Sequence, residues 1–346
     1  MNSYFSFLKD QAVPTILVVG CGRVGESLVK AYANENTPMM AKVYVTDSDK
    51  ERARRLSEYR LSSITPIRWR YAHDTPDDVD VIVVAVDHDS EHKIIDRLAL
   101  AERPFISLSD YASVYDSYED YEDEFKENKV YGVIGAGLVP GIANVLVKHS
   151  ASKFDKTLDI MVEKQGFVSS SSLAAIKSAR REAPLSVRDG ILSDSKRSAG
   201  SGISWFPSPY NSLECQSVAT AVKTLKKSWP NAHNISVRFA EPRLPTFSER
   251  VRKLVFKEPL TTTRACVKVE VTGLLNGEIA TRIFAVTGDA LSMITHMTIQ
   301  SIVGIFHSTN NNSVLISPEE VVDAKDLLLA LHEDKVVINF FDGIPD

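Results

Sequence analysis

The stretch Ile16-Leu17-Val18-Val19-Gly20-Cys21-Gly22-Arg23-Val24-Gly25 constrains the chain more than any other. Its opening apolar run reads as a strand buried on both faces, and Val24, Leu28, Val29 and Tyr32 then recur at helical spacing. Between strand and helix lies Gly-x-Gly-x-x-Gly, in which each glycine has a use that a side chain would spoil. Gly20 permits the tight turn out of the strand, Gly22 lets the backbone approach a pyrophosphate, and Gly25 lets the helix pack close to the strand. The first-turn N–H groups and the positive dipole end of the helix then face the phosphates. Glycines that serve only the turn are the alternative. The placement between a strand and a helix favours dinucleotide binding.

Lys42–Asp47 reads as the second strand, ending in an acid about 20 residues after the last glycine, where a carboxylate accepts hydrogen bonds from a ribose. Asp47 would repel a 2′-phosphate, so NAD is expected over NADP. Arg52, Arg54 and Arg55 lie nearby and leave NADP open. Asp49 is the better cap for the helix that follows. Ser63–Trp69, Val79–Val86, Pro104–Leu108 and Val130–Ile134 continue as strands with helices between them, the pattern of an α/β doubly wound, Rossmann-type parallel sheet. Ligands of such sheets lie beyond the carboxyl ends of the strands. Arg23, Val24, Ala85, Val86, Asp87 and Ser109 therefore join Gly20, Gly22, Gly25 and Asp47 as candidate cofactor contacts. His88 and His92 are spaced i, i+4 but lack a third ligand in sequence, so they read as a helix start rather than a metal pair. Asp110 and Tyr111, after the fifth strand, are candidate catalytic proton carriers, with Lys164 a further one. A turn residue is the plainer account of each.

Composition narrows the class. At 346 residues the chain can bury a sizeable core in two domains, and its net charge of −5 offers no electrostatic case for nucleic acid or an anionic membrane. Cys21, Cys215 and Cys266 are far apart, which argues against zinc and disulfides and suits a reducing, cytoplasmic compartment. No signal-peptide pattern and no membrane-spanning apolar run is present. No metal is expected.

Gly135-Ala136-Gly137-Leu138-Val139-Pro140-Gly141-Ile142-Ala143-Asn144 follows the sixth strand as a rigid turn into a helix. With the glycine loop, Asp80–Ala85 and Phe105-Ile106-Ser107-Leu108-Ser109-Asp110-Tyr111, it resembles the saccharopine dehydrogenase-like oxidoreductases. Pro184–Gly190, Val267–Gly273 and Val286–Asp289 are similar more loosely. The resemblance implies a dinucleotide-binding domain over 1–135, an α+β substrate and dimerisation domain, largely antiparallel, over 136–288, and C-terminal helices over 289–346 that return to the first domain. It also implies an NAD(P)-dependent oxidoreductase, a homodimer, acting at a carbon–nitrogen bond of an amino-acid-like substrate. Ser169-Ser170-Ser171-Ser172 stands where relatives tend to carry a Gly-Gly-Thr turn, so the substrate itself does not carry over.

Pro140, Gly141 and Asn144 are expected to line the substrate, with the helix opening at Gly141 offering free N–H groups to a carboxylate. Arg180 or Arg181 could add a two-pronged contact to the same group. A dinucleotide-binding sensor or assembly protein without turnover is the rival reading.

The second half changes period. Thr157–Glu163, Ile235–Phe239, Val267–Val271 and Ala280–Val286 alternate as half-buried strands, and Asn276-Gly277 marks a hairpin between the last two. Ser169–Glu182 and Glu214–Trp229 read as helices, Ser193–Pro209 as a loop, and Ala290–Phe306 as a buried helix with Met293 and Met297 in the core. Ser317-Pro318-Glu319-Glu320 carries a capping box for the last helix.

Overall fold

Strand β1 (Ile16–Val19) is the centre of a parallel sheet, with Val18 opposite Val45 of β2 (Val43–Thr46) on one side and Val83 of β4 (Val81–Val84) on the other. This is seen in a computed structural model of the chain, which describes residues 14–32, 42–58, 64–166, 183–194, 202–240, 264–307 and 313–343. β3 (Ile64–Pro66), β5 (Phe105–Ser107), β6 (Gly132–Ile134) and β15 (Leu315–Ile316) complete seven strands in the order β15-β6-β5-β4-β1-β2-β3. Strand order therefore reverses between β1 and β4, and that switch point is where an open α/β sheet forms its ligand crevice. β15 was not among the expected strands. At two residues it is too short to show a period.

Apolar layers cover both faces of the sheet. On one, Val18, Val45 and Val83 pack with Leu28 and Tyr32 of α1 (Arg23–Tyr32) and with Ile299 and Ile302. On the other, Leu17, Ile82 and Phe105 pack with Leu98, Tyr118 and Phe125. The acidic stretch 116–129 falls on two helices, α5 (Ala112–Asp120) and α6 (Glu122–Glu127), which meet at Tyr121. Tyr118 and Phe125 point inward from them. The other helices of this unit are α2 (Lys50–Glu58), α3 (His88–His92) and α4 (Ile95–Leu100).

The chain divides into two units. The first comprises residues 1–145 and 292–335, the second 146–291 and 336–346. The crossing lies inside helix α7 (Ala143–Ala151), later than the expected 135/136 boundary, because the turn after β6 packs with the first unit. The return falls near the start of α9 (Ala290–His307), a buried helix whose Met293 and Met297 are fully enclosed. Strand β16 (Val337–Gly343) belongs to the second unit, hydrogen-bonded along β14 (Glu278–Asp289), so the last residues are a sheet edge and not part of the returning helices.

Among the described residues, the second unit holds a nine-stranded sheet whose main path runs β10-β11-β12-β7-β13-β14-β16, with β8 (Leu185–Arg188) and β9 (Ile191–Asp194) off it. β7 (Lys156–Gln165) and β12 (Asn234–Ala240) are parallel, and the remaining pairs are antiparallel. β13 (Arg264–Leu275) and β14 form the expected hairpin, closed at Leu275 opposite Glu278.

Two expectations fail here. Part of the presumed loop is strand β10 (Gly202–Phe206), and the front of the presumed helix is strand β11 (Asn211–Ser217). Only α8 (Val222–Ser228) is helical there. Pairing on both sides of β11 overrides a weak helical period, and Cys215 is buried between more exposed neighbours, as a strand requires. Ser169–Ser172 and the helix expected over Ser169–Glu182 lie outside the described residues. No helix among the described residues is long and apolar enough to cross a membrane.

Candidate functional site

The glycine loop sits at the carboxyl end of β1, beside the switch point. Gly20 has φ of +103°, and a Cβ there would lie 2.5 Å from the Ala85 carbonyl oxygen and 2.8 Å from Val86 Cγ1. A Cβ on Gly25 would collide with the Gly20 carbonyl. Ala85 and Val86 are thus the wall against which the loop turns. Gly22 differs, since a Cβ there would meet nothing within 4 Å among the described residues other than its chain neighbours. No steric contact among the described residues demands glycine at that position, whereas a pyrophosphate over the start of α1 would. Arg23 and Val24 open α1, whose first-turn amides have no acceptor within the helix.

Asp47, directly after β2, is tied into this loop. Its Oδ2 accepts from the Cys21 amide at 2.7 Å and its Oδ1 from the Asp49 amide at 2.8 Å. Oδ1 also accepts from the Ser48 hydroxyl at 3.5 Å, so it is Oδ2 that keeps acceptor capacity for a ribose. Asp49 in turn accepts from the Glu51 amide at 3.0 Å, as a cap for α2 should. Arg54 is engaged by Glu51 and Glu58, and Arg52 lies 3.4 Å from Asp49. Burial, then Asp47, pushes the Cys21 thiol up to about 12, so it is an inert part of the loop.

Asp87 caps α3, accepting from the Ser90 amide at 3.1 Å and the Ser90 hydroxyl at 2.9 Å. The helix carries a histidine pair held by hydrogen bonds. Ser117 Oγ lies 3.1 Å from the Ser113 carbonyl and 2.8 Å from His92 Nδ1. The 3.0 Å Nε2···Nε2 contact between His92 and His88 places one proton between the two rings. His88 Nδ1 faces Asp89 at 3.0 Å. Burial and the His88 charge hold His92 below the usual imidazole range, while His88 holds the Asp89 carboxyl low. The His88 ring lies 4.6 Å from that of Tyr111. Among the described residues, no group of three or more His, Cys, Asp or Glu side chains could hold a metal.

Ser109, Asp110 and Tyr111 follow β5. The Ser109 amide donates to Ser107 Oγ at 3.2 Å and the Tyr111 amide to Ser109 Oγ at 3.4 Å; Tyr111 leads into α5. The turn after β6 packs on the same strand end, for the Gly135 and Ala136 amides both donate to the Ser107 carbonyl, at 2.9 and 2.8 Å. Pro140, Gly141 and Asn144 are all buried in this turn and the helix after it. One expectation is corrected. α7 starts at Ala143, and the Ile142 and Ala143 amides already donate to Gly137 and Leu138 carbonyls, so they offer nothing to a carboxylate. Arg180 and Arg181 lie outside the described residues. In the second unit, Lys164 is buried with its ammonium 4.8 Å above the Phe239 ring, and its chain neighbour Glu163 forms a buried pair at 2.9 Å with Lys268 on the adjacent strand.

Glu91, wholly buried behind β5, was missed by the sequence reading. A signal existed, because Glu91 precedes Ile94, Ile95 and Leu98 at helical spacing, an acid in line with an apolar stripe.

Residues 15–111 match the family described as NADP oxidoreductase, coenzyme F420-dependent. No curated protein matches the sequence. Among solved structures, the chain is similar to apo saccharopine dehydrogenase (L-Glu forming) from Saccharomyces cerevisiae, with a TM-score of 0.67 at 11% identity over 95% of this chain and 100% of that one. It is also similar to a probable dehydrogenase from Thermotoga maritima (TM-score 0.51, 12% identity, 94% of this chain and 98% of that one). An engineered D-amino acid dehydrogenase has the same TM-score of 0.51 at 12% identity, over 91% of this chain and 96% of that one. At such identities the likeness is one of fold, and it is the fold that the resemblance in sequence implied.

Proposed function

We propose that the chain is an NAD(P)-dependent oxidoreductase acting on a small carboxylate-bearing amine or imine. The observation that carries the reading is Gly22, a glycine whose Cβ would have none of the described residues within 4 Å beyond its chain neighbours, at the helix start beside the switch point. The family matched over residues 15–111 and the dehydrogenases that share the fold support the reaction class. Gly20, Gly22, Arg23, Val24 and Gly25 would hold the pyrophosphate, Asp47 a ribose, and Ala85, Val86, Asp87 and Ser109 the crevice side. The cofactor, when bound, supplies or accepts the hydride. The chain's own part is to orient it, to exclude water and to carry a proton. Asp110 and Tyr111 are the proposed carriers. A homodimer is proposed on the sequence resemblance alone, and a cytosolic location on the cysteine usage.

The test is cofactor oxidation or reduction with a panel of amino acids and amine-linked acids. Turnover on one or more of them is expected. NADH binding with no turnover on any would identify a sensor instead. Once a substrate is in hand, Arg180→Ala or Arg181→Ala should lower kcat/KM by about tenfold or more, a loss of roughly 1.4 kcal/mol. If neither does, these arginines do not bind the carboxylate.

A further inference from the structure

One buried serine connects an acid outside the expected site to two segments within it. Glu91 is fully buried, and its Oε1 accepts from the Ser107 hydroxyl and from Tyr118 Oη at 2.8 Å. Its Oε2 has no hydrogen-bond partner among the described residues. Ser107 is also fully buried at the end of β5. Its hydroxyl gives its proton to Glu91 and accepts the Ser109 amide, while its carbonyl accepts the Gly135 and Ala136 amides. Ser107 thus joins Glu91 to the Ser109–Tyr111 segment and to the Gly135–Gly141 turn.

This arrangement is made for an ionised carboxylate and is upset by a proton. A proton on Oε1 would meet the hydroxyl protons of Ser107 and Tyr118, so one of those hydroxyls must turn. A proton on Oε2 finds no acceptor unless the side chain moves. When Ser107 is the hydroxyl that turns, the lone pair serving the Ser109 amide turns with it.

We propose that Glu91 is a positioning residue for the site: acting through Ser107, its carboxyl sets the Ser109–Tyr111 segment, and that segment shifts when the carboxyl takes up a proton. The consequence for catalysis rests on the oxidoreductase reading above, whereas the coupling itself belongs to the cofactor-free chain. The groups facing the carboxyl are Ser107, Ser109 and Asp110 from β5 and the segment after it, and Tyr118 from α5. On its own helix, His88 and His92 engage Ser113 and Ser117. Burial pushes the Glu91 carboxyl up to about 7, against the opposing hydroxyls and with a small contribution from the Asp110 charge. The change of state therefore falls in the neutral range.

The experiment is a backbone amide NMR titration of the cofactor-free full-length chain, from about pH 5.5 to about pH 8.5, on wild type, Glu91→Gln, Ser107→Ala and His92→Asn. The Ser109 and Ala136 amides should shift with a midpoint near 7 in wild type and in His92→Asn. They should be flat in Glu91→Gln, and their shift should be much reduced in Ser107→Ala, which keeps the acid and removes the hydroxyl that bridges it to the Ser109 amide while the Ser109 side chain still faces the carboxyl. If Glu91→Gln does not fold, Ser107→Ala decides alone. A titration of undiminished size in these variants, or no titration in wild type, overturns the proposal. NADH and NADPH added to the same samples separate the two readings. Amides that titrate in a chain binding neither cofactor leave Glu91 assigned and remove the oxidoreductase reading.

Discussion

Glu91 should make the cofactor-free chain less stable as pH rises. Its carboxyl ionises near 4.5 when unfolded and is pushed up to about 7 in the folded chain. Below about pH 4.5 both states hold the proton and this group costs nothing. Between those values the unfolded chain has lost the proton while the folded chain keeps it, so stability falls as pH rises and levels off above about 7. A shift of that size corresponds to roughly 3 kcal/mol. Urea melts of wild type should show a decline across this window that Glu91→Gln lacks, and parallel pH profiles for the two proteins would refute the burial argument. Asp47 supports a second prediction, on cofactor choice. Two like charges about 4 Å apart cost around 4 kcal/mol at an effective dielectric of 20, and even a third of that is about tenfold in affinity. NADH should therefore bind at least about tenfold more tightly than NADPH, and a competition titration favouring NADPH would contradict the role given to Asp47. At this scale the sequence was legible where chemistry dictates spacing, as in Gly20, Gly22, Gly25 and Asp47. It was opaque where chemistry depends on depth. Only its place in line with Ile94, Ile95 and Leu98 distinguishes the buried Glu91 from the exposed Asp89 two residues earlier.

Among the elements, β7 and β13 carry a charge pair into the second unit's sheet. Glu163 is 1% exposed and 2.9 Å from Lys268, with Ser204 of β10 on its other oxygen. Removing one member of such a pair strands the other charge, at a typical cost of about 3–5 kcal/mol. Lys268→Met should lose that much in a denaturant melt, and Glu163→Leu combined with Lys268→Met should recover most of it. A loss under about 1 kcal/mol for Lys268→Met would mean that Glu163 is hydrated or neutral. Elements with strong periods or turn chemistry were readable: β1, β4, α9 and the Asn276-Gly277 hairpin all lie where the pattern puts them. β10 and β11 were not, because their stability comes from pairing with each other and with β12, a long-range contact with no local signature. The histidine pair was half readable. Its i, i+4 spacing suggested a common face, but its partners Ser113 and Ser117 come from α5 and replace the missing metal ligand.

For the molecule as a whole, the chain's division into two units follows from a change of hydrophobic period, continuous apolar runs before α7 and alternating ones after it. The sequence carries that division, but it does not show that β16 belongs to the second unit, since an edge strand's membership is decided by its partner. The central claim, that the first unit is built around a bound dinucleotide, rests on Gly22. The Cβ of Gly22→Val would have no described residue within 4 Å apart from its chain neighbours, so the folded chain should tolerate the change. The decisive measurement is a calorimetric NADH titration of wild type and Gly22→Val, with matching circular dichroism for the two. Saturable binding by wild type and none by the folded variant is the predicted result. Equal affinity in both proteins, or no NADH or NADPH binding by wild type, would contradict it.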